Sequence, residues 1–192
     1  MIKIGITGGI GSGKSVVASL LMLSDVPVYI ADKESKWLTN HSPVIREKLI
    51  AMFGNNIYIG KEINKPMLAS HIFNNPEQLK QVDQIIHPEV NKHFREWVDR
   101  QTTPLCAIES AILFESGFHH IVDLRLMVYA PKQLRLKRAL SRDATTKEAI
   151  ERRMDNQMSD EEKRDKSDYI IYNDDKHALI PQVNKFIQYL LG

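Results

Sequence analysis

The chain has 192 residues, 43% hydrophobic and 26% charged, with a formal net charge of +2. That is enough for one well-buried α/β domain with inserted subdomains, and the balance is ordinary for a soluble globular protein. So small a charge gives no case for bulk nucleic-acid binding, and no apolar run is long enough to cross a bilayer as a helix.

The first element in chain order is a strand, Ile2 to Ile6. It runs into Gly8-Gly9-Ile10-Gly11-Ser12-Gly13-Lys14-Ser15, which fits the phosphate-loop pattern G-x-x-x-x-G-K-[ST], and a helical pattern follows from Val16 to Met22. Glycines let backbone N–H groups turn inward around phosphate oxygens, and a helix N-terminus adds a favourable dipole. Residues Gly9 to Val16 are therefore the expected nucleoside triphosphate site. Lys14 would bridge the terminal phosphates, and the Ser15 hydroxyl would hold Mg²⁺.

Further strands are expected at Val26–Ala31, Leu105–Ile108, Leu124–Tyr129 and Tyr169–Tyr172, with helices such as Pro131–Arg142 and Ala178–Leu191 between and after them. The alternation predicts a three-layer α/β/α fold around a five-stranded parallel sheet. Two stretches interrupt it. Residues 33–103 carry helical patterns (Val44–Phe53, Lys65–Phe73, Pro76–Arg100) and no convincing strand, as expected of a helical substrate-recognition subdomain. Residues 142–167 are dense in charge. They read either as a solvated hairpin of surface ion pairs or, because they lie between the fourth and fifth strands, as a lid that brings arginines onto phosphates. The core is then 1–32, 104–141 and 168–192. The single cysteine, Cys106, sits in an apolar run and is expected to be buried and inert. The chain opens directly on a strand with no signal-peptide pattern, and this points to the cytoplasm.

Phosphoryl transfer also needs a group to take the nucleophile's proton. Asp32, at the C-terminal end of the second strand, can serve; its other reading is a helix N-cap. Glu109, ending the third strand, could hold magnesium through water, or be an ordinary strand-end charge. Glu115 could contact substrate or face solvent. Arg138 and Arg142 share a helix face, and the arginine fork suits phosphate oxygens.

These residues together closely resemble the dephospho-CoA kinase family. The resemblance runs from Ile6-Thr7 through the phosphate loop to Ala31-Asp32. It continues through Ile72-Phe73, Asn75-Pro76-Glu77, His87-Pro88, Leu113-Phe114-Glu115 and Leu136-Lys137-Arg138. Arg142-Asp143, Arg153, Gln157, Asp168 and Asn173 complete it. It implies transfer of the ATP γ-phosphoryl to the ribose 3′-hydroxyl of dephospho-CoA, the last step of coenzyme A synthesis. It makes Asp32 the residue that activates that hydroxyl, with Lys14 and Arg142 on the phosphates, Arg138 and Asn173 on the ATP side, and His87 and Glu115 with the acceptor. It implies ATP, Mg²⁺ and dephospho-CoA as partners, with no nucleic acid or membrane, and a monomer or small homo-oligomer. The chain departs from the pattern at Ile30, Ala111 and Tyr172. Another P-loop small-molecule kinase, acting on a nucleoside monophosphate or a sugar acid, is the alternative. A switch GTPase would carry Asn-Lys-x-Asp, and the chain has none.

Overall fold

The computed structural model describes residues 1–73 and 75–192. Residue 74, within the expected helical insertion, lies outside them. The chain divides into two compact units, one of Met1–Tyr29 with Gln101–Gly192 and one of Ile30–Arg100.

The first unit is built on strands β1 (Ile2–Thr7), β2 (Val28–Ile30), β5 (Leu105–Glu109), β6 (Leu124–Tyr129) and β7 (Tyr169–Tyr172). They form one sheet in the order β2-β5-β1-β6-β7. The β5·β1, β1·β6 and β6·β7 ladders are parallel, with Ile6 opposite Glu109 and Leu126. Parallel strands covered on both faces read as unbroken apolar runs, and these do: Ile4, Ile6, Leu105 to Ile108 and Leu126 to Val128 are all buried. Helix α1 (Lys14–Leu23) buries Val17, Ala18 and Leu21, and packs on β1, β5 and the final helix α9 (Leu179–Leu191), which buries Val183 and Phe186. Cys106 is buried, and burial pushes its thiol up to about 11, so it is not a nucleophile.

The second unit holds helices α2 (Ala31–His41), α3 (Pro43–Phe53), α4 (Lys65–Ile72) and α5 (Pro76–Val98). Helix α5 packs against the other three and buries Val82, Val90 and Phe94. It passes through Pro88 without ending, although a proline removes one helical hydrogen bond. The expectation of no strand here is corrected. A short antiparallel pair, β3 (Tyr58–Ile59) and β4 (Glu62–Ile63), turns at Gly60. Two residues per strand are too few to show alternation in a sequence. The pair is fixed by tertiary contacts instead: the Tyr58 hydroxyl donates to the Thr39 carbonyl at 2.8 Å, and Arg46 lies over the Tyr58 ring.

Two helices, α7 (Lys147–Asp155) and α8 (Asp160–Asp165), follow α6 (Lys132–Arg142). Ser159 caps α8 through a reciprocal pair with Glu162. The stretch carries exposed ion pairs, Lys147–Glu151 and Arg153–Asp143 among them, and it is packed as well. Ile150 and Met154 of α7 pack on Ala139 of α6, beside Leu136 and Ile10 of the phosphate loop.

Candidate active site

The phosphate loop joins β1 to α1 as its sequence requires. Gly13 stands just before the helix in the left-handed region (φ 92°), and no acidic residue occupies the first turn of α1. An anion placed at that turn would therefore meet the positive end of the helix dipole with no local carboxylate opposing it. Gly11 is also left-handed (φ 79°), and a Cβ there would run into the Arg135 carbonyl. The Lys14 ammonium lies across the start of the loop, 3.0 Å from the Gly8 carbonyl oxygen and 3.4 Å from that of Gly9. The buried hydroxyls of Thr7 and Ser12 have no hydrogen-bond partner among the described residues. Buried polar groups are seldom left so, and both belong to the strand and loop that would meet phosphate.

The loop is held from outside by chain that comes much later. The Asn173 amide, just after β7, donates to the Ser12 carbonyl at 2.8 Å. Arg138 in turn donates to the Asn173 carbonyl at 2.9 Å and pairs with Asp175 at 2.5 Å. At Ile10, the backbone N–H donates to the Gln157 side chain (3.3 Å), while the carbonyl accepts from Arg135 (3.2 Å). A cavity of about 310 Å³ lies between Gly9 and the α7–α8 turn, lined in part by Tyr129, Lys132, Arg135, Gln157 and Asp160.

The expected site residues fall in both units. Glu109 ends β5, with Ser110 N–H bonded to the Ile6 carbonyl. Ser15 and Val16 are exposed in the first turn of α1. Asp32 lies in the helical unit and is exposed in the first turn of α2, whose N-cap is Ile30. Its reading as the cap is thereby excluded. His87 is central in α5, 3.6 Å from Asp83, and burial holds its imidazole below the usual histidine range against the pull of Asp83.

Arg142 ends α6, exposed, and donates to Asp143 at 2.8 Å, a carboxylate that Arg153 also contacts at 3.1 Å. Glu115 accepts from the Met158 N–H at 2.8 Å and pairs with Lys163 at 3.3 Å, so it ties the α7–α8 segment to the loop after β5.

Sequence reasoning passed over two buried cations. Lys163 is fully buried and donates to the Ala111 carbonyl at 2.7 Å; burial holds its ammonium below the usual lysine range, with Glu115 opposing. Arg135 is 5% exposed. In the sequence Lys163 sits among charges that look like ordinary surface residues, whereas Arg135 stands between Leu134 and Leu136. The one available signal was spacing: Arg135, Ala139 and Arg142 recur on one face of α6.

A parallel sheet, a glycine loop closing on a lysine, and the helix N-terminus that follows it define a P-loop nucleotide-binding protein. The comparisons narrow the class. The dephospho-CoA kinase family model matches residues 2–178. A dephospho-CoA kinase of Bacteroides fragilis is 48% identical over 190 residues, covering 98% of this chain and 93% of that one. Among solved structures, a Thermus thermophilus protein superposes with a TM-score of 0.84 at 32% identity, covering 99% and 96% of the two chains. Dephospho-CoA kinase from Campylobacter jejuni gives 0.71 at 28%, covering 98% and 96%. The chain belongs to the dephospho-CoA kinase family. It is a transferase that uses ATP to phosphorylate dephospho-CoA in coenzyme A biosynthesis.

Proposed function

We propose that the γ-phosphoryl of ATP passes to the ribose 3′-hydroxyl of dephospho-CoA, with Asp32 accepting the proton of that hydroxyl. The observation that carries the phosphate side is the Lys14 ammonium over the Gly8 carbonyl at the N-terminus of α1. The loop Gly9 to Val16 holds the triphosphate, and Lys14 follows the charge that builds on the transferred group. Arg138 and Asn173 keep the loop in shape on the ATP side. Arg142 exchanges Asp143 for phosphate when segment 142–167 closes as a lid. Asp32 supports its role by position: it follows β2 by two residues and carries no capping bond. His87 serves the acceptor from the helical subdomain, and Glu115 serves it by fixing the lid.

Magnesium fits the donor set. Among the described residues no cluster of three acidic, histidine or cysteine side chains is placed to hold a metal. Magnesium needs none, because it keeps several waters and takes phosphate oxygens. The Ser15 hydroxyl would hold it directly and Glu109 through water. When bound it neutralises charge on the β and γ oxygens. The net charge of +2 supports small-molecule partners without nucleic acid, and the reading includes a cytoplasmic location and a monomer or small homo-oligomer. Among the described residues no helix is long and apolar enough to cross a membrane.

A coupled assay with dephospho-CoA, adenosine, AMP and gluconate tests the acceptor, and phosphorus NMR of the product tests the position. Turnover should be fastest with dephospho-CoA, giving the 3′-phosphate. Faster turnover of another acceptor, or a 2′-phosphate, overturns the reading.

A further inference from the structure

The apex of the phosphate loop is gripped by one buried side chain. Arg135 of α6 is 5% exposed. Its Nε donates to the Ala130 carbonyl at 3.1 Å, one Nη to the Ile10 carbonyl at 3.2 Å, and the other Nη to the Asp160 carboxylate of α8. The guanidinium fork thus joins three elements: the end of β6, the loop and the α7–α8 segment. The loop is fitted to it. A Cβ at Gly9 would strike the guanidinium, and one at Gly11 would strike the Arg135 carbonyl.

The peptide between Ile10 and Gly11 is trans and planar, so its N–H points opposite to its C=O. A guanidinium that holds the Ile10 carbonyl therefore aims the Gly11 N–H away from α6. Only arginine can hold two carbonyls and a carboxylate through one rigid fork; lysine offers the charge without the geometry. Asp160 is what makes the cation tolerable in a buried position, since an unpaired buried charge is costly.

We propose that Arg135 is a positioning residue that couples the α7–α8 segment to the phosphate loop. Asp160 orients and neutralises the guanidinium, the guanidinium fixes the Ile10–Gly11 peptide, and that peptide presents its N–H to ATP. This rests on the reading of Gly9 to Val16 as the ATP site. The coupling acts on nucleotide binding and leaves the acceptor, held elsewhere, alone.

The test is steady-state kinetics on the full chain with Arg135→Gln, Arg135→Lys, Asp160→Asn and the Arg135→Gln/Asp160→Asn double variant. ATP and dephospho-CoA are each varied at saturating levels of the other, and the melting temperature of each variant is measured. Loss of a charge-assisted hydrogen bond should raise the KM for ATP about tenfold or more in Arg135→Gln, with a smaller rise in Asp160→Asn. Arg135→Lys should recover part of the loss. The KM for dephospho-CoA should stay within about twofold, and the double variant should be no worse than Arg135→Gln, because both changes act through one contact. An unchanged KM for ATP in a folded Asp160→Asn variant overturns the proposal, as does a parallel rise in both KM values. Should Arg135→Gln fail to fold, Asp160→Asn decides alone. Lys14→Ala separates the two readings. If it loses ATP binding while the Arg135 and Asp160 variants do not, the coupling fails and the ATP site stands. If Lys14→Ala also binds ATP normally, the ATP-site reading fails first.

Discussion

The side-chain amide of Asn173 donates to the carbonyl of Ser12 at 2.8 Å, across 161 positions of sequence. The turn after β7 thereby becomes an outer wall of the phosphate loop, and Arg138 braces it at the Asn173 carbonyl. Asn173→Ala removes one hydrogen bond and should raise the KM for ATP about fivefold, near 1 kcal/mol. Asn173→Asp should do more, since it turns a carboxylate toward the Ser12 carbonyl. ATP titrations of the two variants check this. Equal, unchanged affinities would mean that the loop keeps its shape without Asn173.

Asp32 offers a cleaner separation of chemistry from structure than its sequence position promised. It sits exposed in the first turn of α2 and makes no capping bond there, so Asp32→Asn forfeits only a helix-dipole contribution of about 0.3–1 kcal/mol. Turnover should nonetheless fall at least ~10²-fold with ATP affinity kept, the signature of a lost proton acceptor. A variant that melts slightly earlier and turns over normally would reduce Asp32 to a first-turn carboxylate.

Gly11 and Gly60 make a matched pair for testing the loop. Both have positive φ, 79° and 60°, but a Cβ at Gly11 meets the Arg135 carbonyl whereas one at Gly60 meets nothing within 4 Å. Gly60→Ala should cost about 1–2 kcal/mol, the left-handed penalty alone, with ATP binding intact. Gly11→Ala adds a backbone clash at the phosphate site and should destabilise more and abolish ATP binding. Thermal melts with and without ATP read both terms. Retained ATP stabilisation in Gly11→Ala would show that the loop can shift to accommodate the methyl.

The sequence carried those features that are local. The phosphate loop is contiguous, and the five strands of the large sheet are apolar runs, so both were legible in one dimension. The strand end at Asp32 was less so: α2 begins at Ala31, because Ile30 rather than Asp32 takes the cap position. The β3–β4 pair was invisible at two residues per strand. Arg135 and Lys163 were hidden for a different reason. A buried cation is recognised by its partners, here Ile10, Asp160, Ala111 and Glu115, and those come from distant parts of the chain. The neighbours of Lys163 in sequence, Glu162 and Arg164, are charged and exposed, which disguises it as a surface residue. The family resemblance reached the acceptor, but it did not reach this packing of charge beneath the loop.

Asp168 and Arg125 give the pH dependence its acid limb. Asp168 precedes β7 and accepts from Arg125 of β6 three times: from the backbone N–H at 2.7 Å, from Nε at 2.6 Å and from Nη2 at 2.6 Å. The Arg125 hydrogen bonds hold the Asp168 carboxyl below its ordinary value of 3.8. A depressed folded-state carboxyl contributes stability that is fully present above the unfolded value and is lost as the pH falls through the folded one. Both side chains are 35% exposed, so solvent screening limits the contribution to on the order of 1 kcal/mol. Asp168→Asn should therefore unfold at lower urea than the parent at pH 7. The gap should close below about pH 3.8, as the parent's carboxyl takes up its proton and comes to resemble the amide. Urea midpoints of both proteins between neutral and strongly acidic pH measure the gap directly. A difference that is constant across the range would mean that the Asn variant loses packing at the β6–β7 edge and not a charge-assisted bond.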